Sequence, residues 1–371
     1  MKKNKIRVIS AVVSAIMLAS SASVFAKFDA YNDPDGFTLG HYEVEVNQEQ
    51  RADTEKLYEQ RPKNERQFEN LSRGLVAVPG ENGTLVSWRF LGTDSNSLTY
   101  NLYCSGEKLN DKPITTTNFF HTGASTNAEY TLKEVENGEE TGVEYTTMAW
   151  DKNYIGFKVT EREGYNIDDG AVADLDGDGE YEILLRRVPS MDVNTRTSYP
   201  VIEAYKTDGT HMWTIDIGPN EINEVDINFL AYDMDGDGKA EVIMRSFEGT
   251  TDGKGNTTGD TNGDGITDYS KSESNLAIFK DRQYIVSTPE FLSIYDGETG
   301  EETDRTDLKP SKEPLSDWSY RYSDTGRLTK RASHYLFGLA YLDGVTPSVV
   351  MVRGAWDNVR AAAWHIEDGK F

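Results

Sequence analysis

The clearest sign of a functional site in this chain is a sequence motif that occurs twice and contains closely spaced carboxylates. In the first copy, 173–186, acidic residues stand at loop positions 1, 3, 5 and 9 and an apolar run follows. They are Asp174, Asp176, Asp178 and Glu182. Carboxylates this close repel one another unless a divalent cation lies among them, and the intervening glycines permit a tight turn. The pattern predicts a calcium loop.

The second copy, 232–245, has the same arrangement. Its acidic residues are Asp233, Asp235, Asp237 and Glu241. An EF-hand would place a bidentate Glu at loop position 12, where this chain has Leu185 in one copy and Met244 in the other. Both loops therefore resemble the short calcium turns that open strands in β-propeller blades, and plain acidic β-turns are the alternative.

A third acidic loop has the same spacing, with Asn at one position. Its predicted ligands are Asp260, Asn262, Asp264 and Asp268. Taken alone the loop resembles half of a dockerin, but the second loop and the helices of that module are not evident. We expect a calcium-binding insertion between strands.

The N-terminus predicts export. Residues 1–26 have basic residues first, an apolar stretch over 8–19 and small residues before Ala26, as a signal peptide does. No later stretch reaches the roughly 18 apolar residues of a membrane span, so we expect a secreted, soluble protein. Cys104 is the only cysteine, so no internal disulfide can form, and bound calcium would stabilise the fold in its place.

The composition indicates a folded, acidic protein. With 20 Tyr and 6 Trp the chain has ample material for a core, although its formal net charge is −25. This charge argues against nucleic-acid binding, and a polyanionic substrate would need bound cations or clustered arginines.

The pattern of short strands predicts an all-β protein with two domains. A polar leader over 27–70, with a short helix at 54–59, precedes a β-sandwich over 71–160 whose core Trp88 fills. Over 161–371 three features predict propeller blades. They are the repeated motif, a third copy of it at 338–353 without the acidic loop, and strands that turn at Asp-Gly. Three units cannot close a ring, so we expect an incomplete propeller whose unpaired edges would allow association with a second chain.

Several blocks together resemble a known family. The likeness is carried by the two acidic motifs and by the segments 73–78, 86–94, 203–209 and 339–344. The chain is similar to family 11 polysaccharide lyases, the rhamnogalacturonan lyases. The likeness runs from about residue 66 onward. It implies a β-sandwich followed by an eight-bladed propeller that binds several calcium ions. It also implies cleavage of the galacturonate–rhamnose bond of pectin, in rhamnogalacturonan I, by β-elimination.

This reaction explains the need for cations. The C5 proton of a uronate lies α to a carboxylate, and its removal creates a second negative charge beside the first. A calcium ion or an arginine on the carboxylate, with a base placed at C5, makes the step possible.

The resemblance also implies site residues. Asp169 keeps the family's acidic position and would hold calcium or a sugar hydroxyl, or else cap a turn, and Asp168 stands where members have Asn. Arg187 and Arg353 would neutralise a uronate carboxylate, with a surface position as the alternative. His334 would be the base, or else a histidine packed at a blade edge.

Two classes of function follow. The first is a pectin-degrading lyase, weak or inactive in these residues because Val188 replaces a substrate-facing Asp and later blades are absent. The alternative is a non-catalytic, calcium-stabilised carbohydrate-binding propeller module.

Overall fold

The computed structural model describes residues 66–123, 127–190, 198–221, 227–280 and 282–371, together with the backbone of 25–32 and 38–45. Strands dominate these residues, with one α-helix, α1 (Thr325–Ser333), and three short 3-10 turns, so the predicted all-β class is confirmed. Residues 1–24 of the predicted signal peptide and the predicted helix at 54–59 lie outside the described residues. Among the helices described, none has the length and apolar character needed to cross a membrane.

The chain divides into two compact units. The first comprises Met1–Arg66 and Tyr341–Thr346, and its backbone pairs β1 (Phe25–Asn32) with β2 (Thr38–Glu45) in an antiparallel hairpin. The second comprises Gln67–Ala340 and Pro347–Phe371 and contains every other element named below.

Two antiparallel sheets begin the second unit. The first is built from β3 (Val76–Gly80), β4 (Gly83–Ser87) and β7 (Asn118–Thr122). The second is built from β5 (Thr99–Cys104), β6 (Glu107–Lys108), β8 (Glu129–Glu136) and β9 (Glu139–Met148). Their inner faces share one apolar core, and Trp88 lies in it as predicted, edge-on to Tyr100 at a ring distance of 5.2 Å.

Three further antiparallel sheets follow in chain order. The first has four strands, β10 (Tyr165–Ala173), β11 (Glu182–Pro189), β12 (Val201–Tyr205) and β13 (His211–Asp216). The next has β14 (Phe229–Tyr232), β15 (Glu241–Phe247), β18 (Glu290–Tyr295) and β19 (Glu302–Asp307), and a separate hairpin of β16 (Leu276–Phe279) and β17 (Arg282–Ile285) interrupts it along the chain. The last has β20 (Tyr335–Ala340), β21 (Ser348–Arg353) and β22 (Arg360–His365).

The middle sheet of these three is buried on both faces. Val242 and Met244 of β15 belong to a core shared with the preceding sheet, while Ile243, between them, belongs to a core shared with the following sheet. Alternate residues of a strand point to opposite faces, so a continuous apolar strand suits this position. The first strands of successive sheets, β10, β14 and β20, also lie next to one another.

Candidate metal centres and active-site residues

The two acidic loops occupy equivalent places in successive sheets. The first joins β10 to β11 and the second joins β14 to β15. Gly177 and Gly179 in the first loop have φ of 78° and 88°, in the left-handed region that side chains rarely adopt. The glycines of the motif are therefore needed for the turn that brings the carboxylates close together.

In the first loop the carboxylates are held by backbone amides. Asp174 accepts hydrogen bonds from the amides of Gly177 (2.9 Å) and Gly179 (2.8 Å), and Glu182 accepts one from the amide of Leu175 (2.8 Å). These contacts leave Asp174, Asp176 and Glu182 with one oxygen each within 4.8 Å of the others.

The second loop repeats this geometry. Asp233 accepts from the amides of Gly236 (2.7 Å) and Gly238 (3.1 Å), and Glu241 accepts from the amide of Met234 (2.8 Å). Asp233, Asp235 and Glu241 form the matching cluster. The predicted ligands at loop position 5, Asp178 and Asp237, lie outside both clusters of three and accept amide hydrogen bonds from Glu180 (2.9 Å) and Lys239 (2.8 Å).

The electrostatics of both clusters favour a cation. Burial raises the pKa of Glu241 to about 8, and the charges of Asp235 and Asp233 add to the rise. Burial and neighbouring carboxylates likewise raise the pKa of Asp174, Glu182 and Asp233. Oδ1 of Asp176 is buried without a hydrogen-bond partner. The ligands that the two clusters offer are all hard oxygens, which calcium prefers, and this Asp176 oxygen makes no hydrogen bond within the protein. The clusters therefore fit calcium.

Lys206 is a charged neighbour that the sequence analysis missed. Its Nζ lies 2.5 Å from Asp176, 3.6 Å from Asp178 and 3.7 Å from Glu182, and the hydrogen bond to Asp176 raises the pKa of the lysine. Lys206 directly follows β12, at a place where the next sheet has Asp296 after β18. A lysine after β12, where the corresponding strand β18 is followed by an aspartate, was the only sign in the sequence that Lys206 contacts the loop.

Glu69 is the second missed neighbour. Burial raises the pKa of Glu69 to about 7, and the charges of Asp233 and Asp174, one from each loop, add to the rise. Around it, Gln67 donates to the carbonyl of Asp233 (3.3 Å), and the amide of Ser72 donates to Gly179 (2.9 Å). The segment before β3 therefore passes both loops, and no motif in the sequence indicates this.

The third loop makes a similar turn but uses its side chains differently. Asp260 accepts from the amides of Gly263 (2.7 Å) and Gly265 (2.8 Å), as Asp174 does in the first loop. Asn262 and Asp264 both contact the Tyr269 hydroxyl, at 3.0 and 2.9 Å. Asp268 accepts from Ser270 and pairs with Lys271 at 2.9 Å. Within the described residues, the clusters of three acidic side chains do not include this loop.

Asp168 and Asp169 share one arginine that sequence reasoning did not identify. Asp168 is the extra residue of a β-bulge in β10, and its carboxylate contacts Arg186 of β11. Asp169 lies 3.8 Å from the same guanidinium. Both carboxylates are exposed, so the bulge presents an acidic pair at the surface.

Arg187 and Arg353 are buried, contrary to the expectation that they face a substrate and to the surface alternative. Arg187 pairs with Glu203 at 3.1 Å. Arg353 is 0% exposed and pairs with Glu290 at 2.6 Å. A charge inside a protein needs such a partner, and here the partner replaces the uronate carboxylate that we expected.

His334, the expected base, ends helix α1. Its backbone amide donates to the carbonyl of Arg331, and its half-buried ring stacks on Trp356 at 5.9 Å with an angle of 19° between the planes. His334 therefore packs against Trp356, which lines a cavity described below.

Two family models match this chain, one after the other along the sequence. Residues 155–371 match the model of the rhamnogalacturonan lyase family 11 C-terminal domain, and residues 66–150 match that of the rhamnogalacturonan I lyase β-sheet domain.

Two Bacillus subtilis (strain 168) proteins are similar over most of this chain. Rhamnogalacturonan endolyase YesW is 37% identical over 320 residues, which are 82% of this chain and 48% of YesW. Rhamnogalacturonan exolyase YesX is 36% identical over 322 residues, 82% of this chain and 49% of YesX. The chain thus spans about half the length of the curated relatives it matches.

Solved structures agree with these matches. The crystal structure of the exotype rhamnogalacturonan lyase YesX superposes with a TM-score of 0.70 at 36% identity, over 83% of this chain and 50% of that one. The Bacillus licheniformis rhamnogalacturonan lyase PL11 gives a TM-score of 0.68 at 37% identity, over 82% and 52%. With a family model that covers more than half of its residues and relatives above 30% identity, the chain belongs to rhamnogalacturonan lyase family 11.

Proposed function

We propose that this chain is a lyase that cleaves the galacturonate–rhamnose backbone of rhamnogalacturonan I by β-elimination. The observation that carries the proposal is the match to both domain models together with 36–37% identity to an endolyase and an exolyase. The residues matched are half of each relative, so the activity of those longer proteins is extended here to a shorter chain.

We also propose that calcium binds in the first two acidic loops. Asp174, Asp176 and Glu182 would hold one ion, and Asp233, Asp235 and Glu241 a second. The amide hydrogen bonds described above already orient Asp174 and Asp233 for binding, although in the first loop the ammonium of Lys206 must leave Asp176. When bound, calcium supplies positive charge that offsets the carboxylates of the loops. The third loop would bind more weakly, since Asn262 and Asp264 already contact Tyr269.

In the proposed reaction the chain's own residues position the uronate and accept its C5 proton. Asp168 and Asp169, exposed beside Arg186, would bind sugar hydroxyls, and His334 would be the base. Arg187 and Arg353 have no place in this proposal because their charges are neutralised inside the protein.

The three successive sheets of the second half are proposed to be propeller blades. Each is antiparallel, each packs on the next, and their first strands lie side by side, as the inner strands of blades do. We further propose that the protein is exported, because of the predicted signal peptide.

The lyase proposal is tested by the product. β-Elimination leaves an unsaturated uronate that absorbs in the ultraviolet, so incubation with rhamnogalacturonan and calcium should give rising absorbance that a chelator abolishes. A flat trace with a folded protein would contradict the proposal.

The second candidate is a carbohydrate-binding module without turnover. It is favoured by the burial of Arg187 and Arg353, the two expected carboxylate ligands. Affinity electrophoresis distinguishes it: retardation in rhamnogalacturonan but not in a neutral glucan, with a flat absorbance trace, would support binding without cleavage.

A further inference from the structure

A cavity rich in cations lies between the β16–β17 hairpin and helix α1. Its volume is about 380 Å³, which is within the range of small-ligand sites. The side chains that matter here are Lys280, Arg282, Arg327, Lys330, Arg331 and Trp356. No acidic residue lines it among the described residues, which do not include Asp281. We call this cavity the cationic pocket.

One of its five cations has an internal partner. Arg331 pairs with Asp357 at 2.8 Å, and the Asp357 side chain is 1% exposed. Among the described residues, no carboxylate forms an ion pair with any of the other four cations of the pocket. The pocket therefore concentrates positive charge on a chain whose net charge is −25, and an anionic ligand would relieve the repulsion among these groups.

Arg327 shows that the pocket is built rather than incidental. Its guanidinium lies 4.0 Å from the centre of the Tyr322 ring and 5.3 Å from that of Phe279. Its Nε is buried without a hydrogen-bond partner. The aromatic rings fix the side chain at the cavity wall while leaving a donor unused there.

Trp356 provides an exposed aromatic surface beside these charges. It is 72% exposed, and Nζ of Lys330 lies 5.8 Å from its ring. Its φ of 61° is in the left-handed region, which a bulky residue adopts only when its surroundings enforce it. An exposed indole is a suitable platform for the apolar C–H face of a pyranose ring.

We propose that the cationic pocket binds a uronate unit of an acidic oligosaccharide. Arg282 and Lys330 would bind the carboxylate, since guanidinium and ammonium groups form strong charge-assisted hydrogen bonds with it. Trp356 would stack against the sugar ring. The proposal rests on the proposed function only for the identity of the sugar, galacturonate, because the charge and the platform are properties of the pocket itself.

Binding to the whole chain tests the proposal. The probe is a short oligosaccharide of the galacturonate–rhamnose backbone, followed by calorimetry, with a carboxyl-reduced version as control ligand. We expect R282Q and K330Q each to weaken binding about tenfold, which corresponds to about 1.4 kcal/mol. W356A should weaken it similarly, and K254Q, an exposed lysine outside the pocket, should not change it. The affinity of the natural chain should fall as salt rises.

Lys280 and Arg282 are exposed, so K280Q and R282Q test the charge without disturbing the fold. Equal affinity for native and reduced oligosaccharides, or wild-type affinity in all pocket variants, would overturn the proposal. So would competition by inorganic phosphate at the same concentration as the sugar, which would indicate a general anion site.

Absorbance of the unsaturated product, recorded on the same samples, separates this proposal from the lyase proposal. Pocket-dependent binding without product would leave the pocket proposal standing and contradict the lyase. If every pocket variant bound and cleaved the oligosaccharide as the wild type does, the pocket proposal would be contradicted and the lyase proposal would stand.

Discussion

Lys206 makes the two acidic loops chemically different although their sequences repeat. Its ammonium contacts the first loop at Asp176, whereas Lys239, the lysine within the second loop, pairs with Glu298 outside that loop at 2.5 Å. A cation attached to the chain partly neutralises the first loop and competes there with a free ion.

The variant K206M therefore has two expected effects. Without calcium it should lower the melting temperature, because buried carboxylates lose their partner. In a calcium titration followed by calorimetry, binding at the first loop should become about tenfold tighter, since no ammonium must be displaced. K239M is the matched control and should leave the first loop's affinity unchanged. Weaker calcium binding in K206M would show that the lysine supports the ion rather than competes with it.

A second residue-scale effect concerns Lys312, which lies inside the protein. Burial lowers the pKa of Lys312 to about 8, and Arg353 and Arg245 oppose its charge while Glu290 and Glu221 favour it. In the unfolded chain the pKa is near 10.5. Between these two values the unfolded state binds more protons, so this group makes the protein more stable as pH rises.

The pH dependence gives a clear expectation for K312M. From about pH 8 to about pH 10.5 the wild type should gain up to about 3 kcal/mol relative to the variant. Urea unfolding at several pH values measures the difference, and K254M, which alters an exposed lysine, is the control. A constant difference between wild type and K312M across this range would contradict the buried, easily deprotonated amine.

At the scale of elements, the structure separates the three acidic loops by where they lie. The first two lead into the largely buried strands β11 and β15, and Asp174 and Asp233 are 3% and 4% exposed. Asp260 has the same amide contacts but lies in an exposed segment. Removal of a carboxylate leaves its amide donors unsatisfied, and this costs most where water cannot replace the lost partner.

The expected order of stability follows from this. In calcium, D174A and D233A should each lose about 2 to 3 kcal/mol, or about 5 °C in melting temperature, while D260A should lose less than about 1 kcal/mol. Differential scanning calorimetry of the three variants is sufficient. Equal shifts in all three would mean that burial of the loop does not determine its contribution.

The sequence predicted the strands, the turns and the acidic clusters because each depends on residues close together along the chain. Glycine positions and carboxylate spacing define a loop locally. Lys206, Glu69 and Arg186 were missed because they reach their partners across strands or from a separate segment. The burial of Arg353 could not be predicted either, since it depends on Glu290 in another sheet.

At the scale of the whole molecule, the three successive sheets form a stack in which the middle one has no free face. The two carboxylate clusters lie at the starts of β11 and β15, which are the second strands of adjacent sheets. The amide of Ala240 donates to the carbonyl of Asp174 at 2.7 Å, so the two loops are linked directly. Loss of an ion from one loop should therefore affect the other sheet as well.

Calcium removal should show this coupling in the complete chain. An ion present at about 100 times its dissociation constant adds about 2.7 kcal/mol per site, so two sites would add about 5 kcal/mol. Calorimetry with and without a chelator should thus show a fall of about 10 °C, as one transition because the sheets share their cores. Limited proteolysis in chelator should open cleavage sites in both loops together. The double variant D174A/D233A is the control and should no longer respond to the chelator. If chelation changed neither the melting temperature nor the cleavage pattern of the natural chain, the loops would be ordinary acidic turns, and the amide hydrogen bonds alone would hold them.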